Sequence, residues 1–134
     1  MASETIMRRR IMIIDDDRDV REALGCWLEA AGYEVLIFPD GYSALASIAL
    51  ELDRSPVDLI LLDLNMPGMD GMAVLRELRR RQRTIPVIIM SGMYEQQVVR
   101  DAVSAGARDF VSKPIDLSRL RKTCERVLRD TDSA

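Results

Sequence analysis

The sequence predicts an α/β fold, a doubly wound sheet of five parallel strands covered on both faces by five helices. Three observations predict it. Short apolar runs and amphipathic stretches of helical period alternate strictly along the 134 residues. The apolar runs are continuous rather than alternating with polar residues, which is the pattern of strands buried on both faces. The lengths also agree: five strand residues span ~17 Å and twelve helical residues ~18 Å, so each helix can lie back over the strand it follows. Parallel neighbours need a right-handed crossover. Five strands suit the order 2-1-3-4-5 better than the six-stranded dinucleotide-binding arrangement, although periodicity alone leaves both open.

Residues 1–9 read as a flexible N-terminal segment, 10–129 as one domain and 130–134 as a polar tail. Met1 to Met7 shows no periodicity and is expected to fray. Arg10 to Ile14 is a β-branched run that stops at Asp15, Asp16 and Asp17, a first strand with its carboxyl end in acid. Val20, Leu24, Trp27, Leu28 and Ala31 recur at helical spacing, and Gly32 stands where a left-handed cap is wanted. Glu34 to Phe38 gives the second strand. Pro39-Asp40-Gly41 turns the chain, and Asp40 can cap the helix whose apolar positions are Leu45, Ile48, Ala49 and Leu52. Pro56 breaks the chain before the third strand.

That third strand lies in VDLILLDLNMPGMDG, Val57 to Gly71, where an apolar run is interrupted by Asp63 and followed by Asn65, Pro67, Gly68, Asp70 and Gly71. A carboxylate in such a run is costly to desolvate unless it is paired or sits where the strand emerges from the core. Asp63 is therefore placed at the strand's carboxyl end, the edge where open α/β sheets bind ligands. Met72, Val74, Leu75 and Leu78 mark the third helix, and Arg79, Arg80, Arg81 and Arg83 at its far end complement the helix dipole. Pro86 to Met90 is the fourth strand, ending at Ser91-Gly92. Val98, Val99, Ala102 and Val103 pattern the fourth helix, closed by Gly106. Arg108 to Ser112 is the fifth strand, ending at Lys113-Pro114, and Leu117, Leu120, Cys124, Val127 and Leu128 pattern the last helix.

Composition narrows the function. A net charge of −3 speaks against a direct nucleic-acid binder, which needs a basic face. With no histidine, serine-histidine and cysteine-histidine triads and most zinc sites are excluded. Cys26 and Cys124 have no metal-ligand or redox spacing and read as reduced thiols of a cytoplasmic protein. Arg8 to Arg10 precede an apolar run of only four residues, too short for a signal peptide or a membrane span. No Gly-rich phosphate loop is present.

With the order 2-1-3-4-5, the ends of strands one and three are neighbours, so Asp15 and Asp16 come beside Asp63. Strand four brings Ser91 and strand five brings Lys113. Two unit charges ~4 Å apart repel by about 4 kcal/mol at an effective dielectric near 20, so three carboxylates need positive charge among them. Lys113 supplies one charge and a divalent cation the rest; an all-oxygen donor set suits magnesium, or manganese in its place. A carboxylate, a dication, a lysine and a hydroxyl suit phosphoryl groups: the cation and Lys113 neutralise phosphoryl oxygens, Ser91 donates to one, and Asp63 attacks phosphorus to form an acyl phosphate.

IMIIDDD, LILLDLNMPGMDG, PVIIMSG and GARDFVSKPI together resemble the receiver domain of two-component response regulators, from about Arg10 to Leu128. The resemblance implies a flavodoxin-like fold and gives the residues roles. Asp63 would be the phosphoacceptor, Asp15 and Asp16 the acidic pair serving magnesium, and Asn65 a metal ligand through its backbone carbonyl. Ser91 resembles the switch hydroxyl, Phe110 stands at the switch aromatic position where many relatives carry tyrosine, and Lys113 resembles the phosphoryl-contacting lysine, before a bond to Pro114 that is usually cis. Gly92 replaces a common alanine, which should loosen its loop. Met93 and Asn65 occupy places that often tune phosphoryl lifetime in relatives. The phosphoryl donor would be a histidine kinase or histidine phosphotransfer protein, and the protein would catalyse only its own phosphorylation and dephosphorylation. The face of the fourth helix, fifth strand and fifth helix, with Tyr94, Val98, Val99 and Phe110 as candidate edge residues, would address an output protein or an output domain outside this chain, or form a phosphorylation-dependent homodimer. The chain reads as a stand-alone receiver or part of a longer regulator. The rival reading is a phosphohydrolase resembling the haloacid dehalogenase class, with Asp15 as nucleophile and Asp17 as acid; it leaves the loop after Asp63 unemployed and little room for a substrate cap.

Overall fold

Strand and helix alternate throughout residues 8–50, 56–92 and 96–132, the parts of the chain described by this computed structural model. The elements are β1 (Arg10–Ile14), α1 (Arg18–Ala30), β2 (Glu34–Phe38), α2 (Gly41–Leu50), β3 (Leu59–Asp63), α3 (Gly71–Arg80), β4 (Val87–Ser91), α4 (Gln96–Ser104), β5 (Asp109–Ser112) and α5 (Leu117–Asp132). All four strand pairs are parallel and the order is β2-β1-β3-β4-β5. The predicted fold class and strand order are both observed. Met1 to Met7, Leu52, Met93 and Tyr94 lie outside the described residues.

The three inner strands, β1, β3 and β4, are buried along their whole length, as their continuous apolar runs require. Because side chains alternate between the two faces, each strand feeds two cores. Met12, Ile14, Ile60, Leu62 and Ile89 meet Leu45 and Ile48 of α2, Val74, Leu75 and Leu78 of α3 and Ala102 of α4. On the opposite face Ile11, Ile13, Leu59, Leu61, Ile88 and Met90 meet Leu24 and Leu28 of α1 and Leu120, Cys124, Val127 and Leu128 of α5. Each fully buried side chain of this size contributes ~1.5–3 kcal/mol of transfer free energy. The position of Asp63 follows from this packing, since a strand gripped on both faces has no freedom to move its last residue.

Several residues depart from the predicted pattern. Ala44, not Ala49, completes the inner stripe of α2, and Ala49 faces solvent. On α4, Val103 is 56% exposed while Ala102 is buried. Val98, Ala102 and Ala105 stand at i, i+4 and i+7 and take the core side, leaving Val103 about 100° away round the helix. β4 includes Ser91 and begins at Val87, and β5 begins at Asp109. α5 continues to Asp132, three residues into the expected tail; Thr131 Oγ1 donates to the Val127 carbonyl at 2.9 Å, and Asp132 pairs with Arg9, the residue before β1.

The loops on the carboxyl edge are tied down by aspartates. Asp17 caps α1, accepting from Asp19 N and Val20 N, and Asp70 caps α3, accepting from Ala73 N. Asp40 Oδ1 accepts from Ser43 N at 2.7 Å at the start of α2. At Gly71 a Cβ would stand 2.5 Å from the Asp63 carbonyl oxygen and 2.7 Å from Leu64 Cα. Only glycine lets α3 start so close to the end of β3. Among the described residues no helix is long and apolar enough to cross a membrane.

Candidate functional site

The carboxyl edge of the sheet gathers the polar groups that the sequence places at its strand ends. Asp15 follows β1, Asp63 ends β3, Ser91 ends β4 and Lys113 follows β5; Asp15, Asp63 and Ser91 are 0%, 3% and 1% exposed. Asp16 is exposed. Each of Asp15, Asp16 and Asp63 offers a carboxylate oxygen, and these oxygens lie within 4.8 Å of one another. The Lys113 ammonium donates to Asp15 Oδ2 at 2.8 Å and stands 3.4 Å from Asp63 Oδ2.

Backbone donors hold the acids. Asp17 N–H donates to Asp15 Oδ1 at 2.9 Å, and Asn65 N–H donates to Asp63 Oδ1 at 3.1 Å. Burial still dominates at Asp63 and pushes its pKa up to about 6, against the opposing pull of the Asn65 amide; the Asp15 charge pushes the same way and the Lys113 charge opposes it. At Lys113 burial acts downward, but the bond to Asp15 and the charges of Asp15 and Asp63 outweigh it and hold the ammonium above its ordinary pKa. Three carboxyl groups meet around one ammonium, so the pocket holds more acid than its lysine can balance. That imbalance and an all-oxygen donor set fit a hard dication such as magnesium.

Asn65 reaches the far side of the pocket, its side-chain amide 3.4 Å from Ser91 Oγ. The Lys113–Pro114 peptide bond is cis, as the motif implies. Phe110 lies farther off, opposite Ile89 in the β4–β5 register, half-buried against the core beneath α2, α3 and α4. The structure thus brings Asp15, Asp16, Asp63, Asn65, Ser91 and Lys113 together and leaves Phe110 on the neighbouring strand.

Sequence reasoning missed Arg21. Its Nη1 donates to the Asp15 carbonyl oxygen at 2.8 Å. Its position in the second turn of α1, after a strand ending in acids, was the available signal. The arginine run at the end of α3 also does more than complement a dipole: Arg79 donates to the Ser104 carbonyl at 2.9 Å, and Arg81 and Arg83 approach the Leu45 and Ile48 carbonyls of α2 at 3.4 and 3.3 Å.

A five-stranded parallel sheet of this order, with buried acids, a lysine and a hydroxyl at its carboxyl edge, defines the class of two-component signalling receivers. The chain belongs to the response regulator receiver domain family, which matches residues 11–125. It is 35% identical over 121 residues to the transcriptional regulatory protein ZraR of Salmonella typhimurium, covering 90% of this chain and 26% of that protein. Over 125 residues it is 38% identical to RpaA of Synechocystis, a DNA-binding dual master transcriptional regulator, covering 92% of this chain and 50% of RpaA. The chain therefore spans a quarter to a half of these longer relatives. The solved structure of the chemotaxis protein CheY4 of Vibrio cholerae matches with a TM-score of 0.83 at 27% identity, covering 90% of this chain and 99% of that one. Membership in this family makes residues 11–125 a response regulator receiver domain, and sets aside the phosphohydrolase reading with Asp15 as nucleophile.

Proposed function

We propose that the protein is a phosphoacceptor switch in which Asp63 takes a phosphoryl group from a phosphohistidine of a histidine kinase or histidine phosphotransfer protein. In the transfer the P–N bond of the donor breaks, a P–O bond to one Asp63 oxygen forms, and the imidazole leaves. The observation that carries this reading is the convergence of three carboxylates, of which the two buried ones, Asp15 and Asp63, are bridged by Lys113. Asp15, Asp16, Asp63 and the Asn65 carbonyl would hold Mg2+ or Mn2+, which when bound neutralises charge on the transferring group. Lys113 contacts a phosphoryl oxygen and Ser91 donates a hydrogen bond to another.

The phosphorylated aspartate rewards a conformer in which Ser91 and Lys113 close on it, and this differential contact is what shifts the population. Ser91 ends β4 and its carbonyl accepts from Lys113 N at 2.9 Å, so a displacement of either residue is shared between β4 and β5. Val98, Val99 and Phe110 then present the shift on the α4-β5-α5 face to an output protein, an output domain, or a second copy in a phosphorylation-dependent homodimer. The receiver unit is residues 10–129 with α5 extending past it, and the switch works in the cytoplasm without direct nucleic-acid or membrane contact.

The test is incubation with a small acyl-phosphate donor and Mg2+, followed by location of the label by mass spectrometry. Label on Asp63, lost in Asp63→Asn, is expected. Label on Asp15, or steady turnover of the donor with Asp63 unmodified, overturns the reading.

A further inference from the structure

We propose that Arg21 is a positioning residue for the acidic pocket: its guanidinium fixes the Asp15–Asp16 peptide and so holds the Asp16 carboxylate ready for a divalent cation. The inference rests on the reading that Asp15, Asp16 and Asp63 hold such a cation.

The argument begins where the β-ladder stops. Asp15 N–H still bonds across to β2, donating to the Phe38 carbonyl at 3.2 Å, but β1 ends at Ile14 and the Asp15 carbonyl lies beyond the strand. Asp15 is 0% exposed, so that carbonyl needs a donor from the protein. Arg21 supplies it at 2.8 Å. Long side chains on a helix lean toward its N-terminus, so a residue in the second turn of α1 can reach back to a carbonyl six positions earlier.

The bond falls between the two neighbouring acids. The peptide plane that carries the Asp15 carbonyl also carries the Asp16 amide, so fixing one end sets the direction in which the Asp16 side chain leaves the backbone. Asp15 and Asp63 have other restraints, namely Lys113 and the amides of Asp17 and Asn65. Asp16 is the exposed acid of the three; its side chain meets Asp63, and the direction of its backbone sets how it enters the pocket.

The sign of the effect separates positioning from charge. A guanidinium near the pocket repels a cation, so if Arg21 acted only through its charge, removing it would tighten Mg2+ binding. If it positions Asp16, removing it loosens binding, by the ~10-fold or more that loss of an outer-shell partner costs a metal site.

Three variants decide the matter, each followed by amide NMR of the metal-free protein and by calorimetric titration with Mg2+. In Arg21→Gln the Asp16 and Asp17 amides are expected to shift or broaden, and the Mg2+ dissociation constant to rise about tenfold. Arg21→Lys, which keeps a charged donor on a longer side chain than glutamine's, should recover most of the affinity. Ala23→Gly, an exposed change in the same helix, should lower Tm without moving the Mg2+ constant, because helix stability alone does not orient Asp16. Unmoved Asp16 and Asp17 amides, or tighter Mg2+ binding in Arg21→Gln, overturns the proposal. If the wild type takes up no Mg2+ while those amides still move in Arg21→Gln, the peptide-fixing role stands and the cation reading falls.

Discussion

The Lys113 ammonium donates to Asp15 Oδ2 at 2.8 Å, tying the chain after β5 to the chain after β1 across the two strands between them. In the metal-free protein this one cation offsets a pocket of three acids. Lys113→Ala is therefore expected to lower the stability of the metal-free protein by about 1–3 kcal/mol, the cost of leaving a buried charged acceptor without its donor. The lost ammonium also competes with a metal for the same oxygens. The rise in Tm on adding Mg2+ should thus be larger in the variant than in the wild type, measured by thermal melts with and without Mg2+.

The raised pKa of Asp63 makes stability depend on pH with a definite sign. Burial lifts the folded carboxyl from its ordinary 3.8 to about 6, so between these values the folded state holds the proton more tightly. Metal-free wild type should lose stability as pH rises through that window, by about 1–3 kcal/mol from this group. Asp63→Asn removes the cost. Its advantage in Tm over metal-free wild type should be small below about pH 3.5, grow up to about pH 7 and then level off, and Mg2+ should shrink it. A constant difference across pH would show that Asp63 ionises normally.

The residues of the pocket were legible in the sequence because each interrupts a pattern with a strong default. Asp63 breaks an apolar run, Asp15 ends another, and Lys113 closes the fifth strand against Pro114. Strand order is needed to bring them together; periodicity leaves it open, and the count of five strands favours 2-1-3-4-5. What could not be read were links between side chains and backbone carbonyls, such as Arg21 to Asp15 or Arg83 to Ile48. An arginine's reach spans several neighbours, and spacing alone does not choose among them. The exposure of Val103 was missed for a related reason: four apolar residues on a nine-residue helix define two adjacent stripes, and packing against Ala102 selects one.

The two thiols should differ sharply in reactivity. Cys124 is 0% exposed, and burial, reinforced by the nearby Glu125 charge, pushes its pKa up to about 12. The thiolate is the nucleophile, so Cys124 should be inert at pH 8, whereas Cys26 lies exposed on α1. Treatment of the native protein with iodoacetamide should label Cys26 alone by peptide mass spectrometry, with Cys124 reacting only after denaturation. Early labelling of Cys124 would mean that α5 opens from the sheet under native conditions.

The last prediction concerns Gln82, which stands with φ 58 in a position where two other helices use glycine. α1, α3 and α4 end in the same bonding pattern. Gly32 N donates to the Glu29 carbonyl and Tyr33 N to the Leu28 carbonyl; Gln82 N and Arg83 N do the same to Arg79 and Leu78, and Gly106 N and Ala107 N to Val103 and Ala102. Each closes its helix through one left-handed residue, with φ 102 at Gly32 and 110 at Gly106. A side chain there costs ~1–2 kcal/mol against the following carbonyl, partly offset by the greater freedom glycine has in the unfolded chain. Gln82→Gly should therefore stabilise the protein by about 0.5–1 kcal/mol, seen as a higher urea midpoint at unchanged m-value. Gly106→Ala should do the reverse by about 1 kcal/mol. A Cβ at Gly106 would meet nothing within 4 Å, so its effect isolates the backbone cost from any clash. If Gln82→Gly destabilises instead, the Gln82 side chain contributes more to the end of α3 than its strained backbone costs.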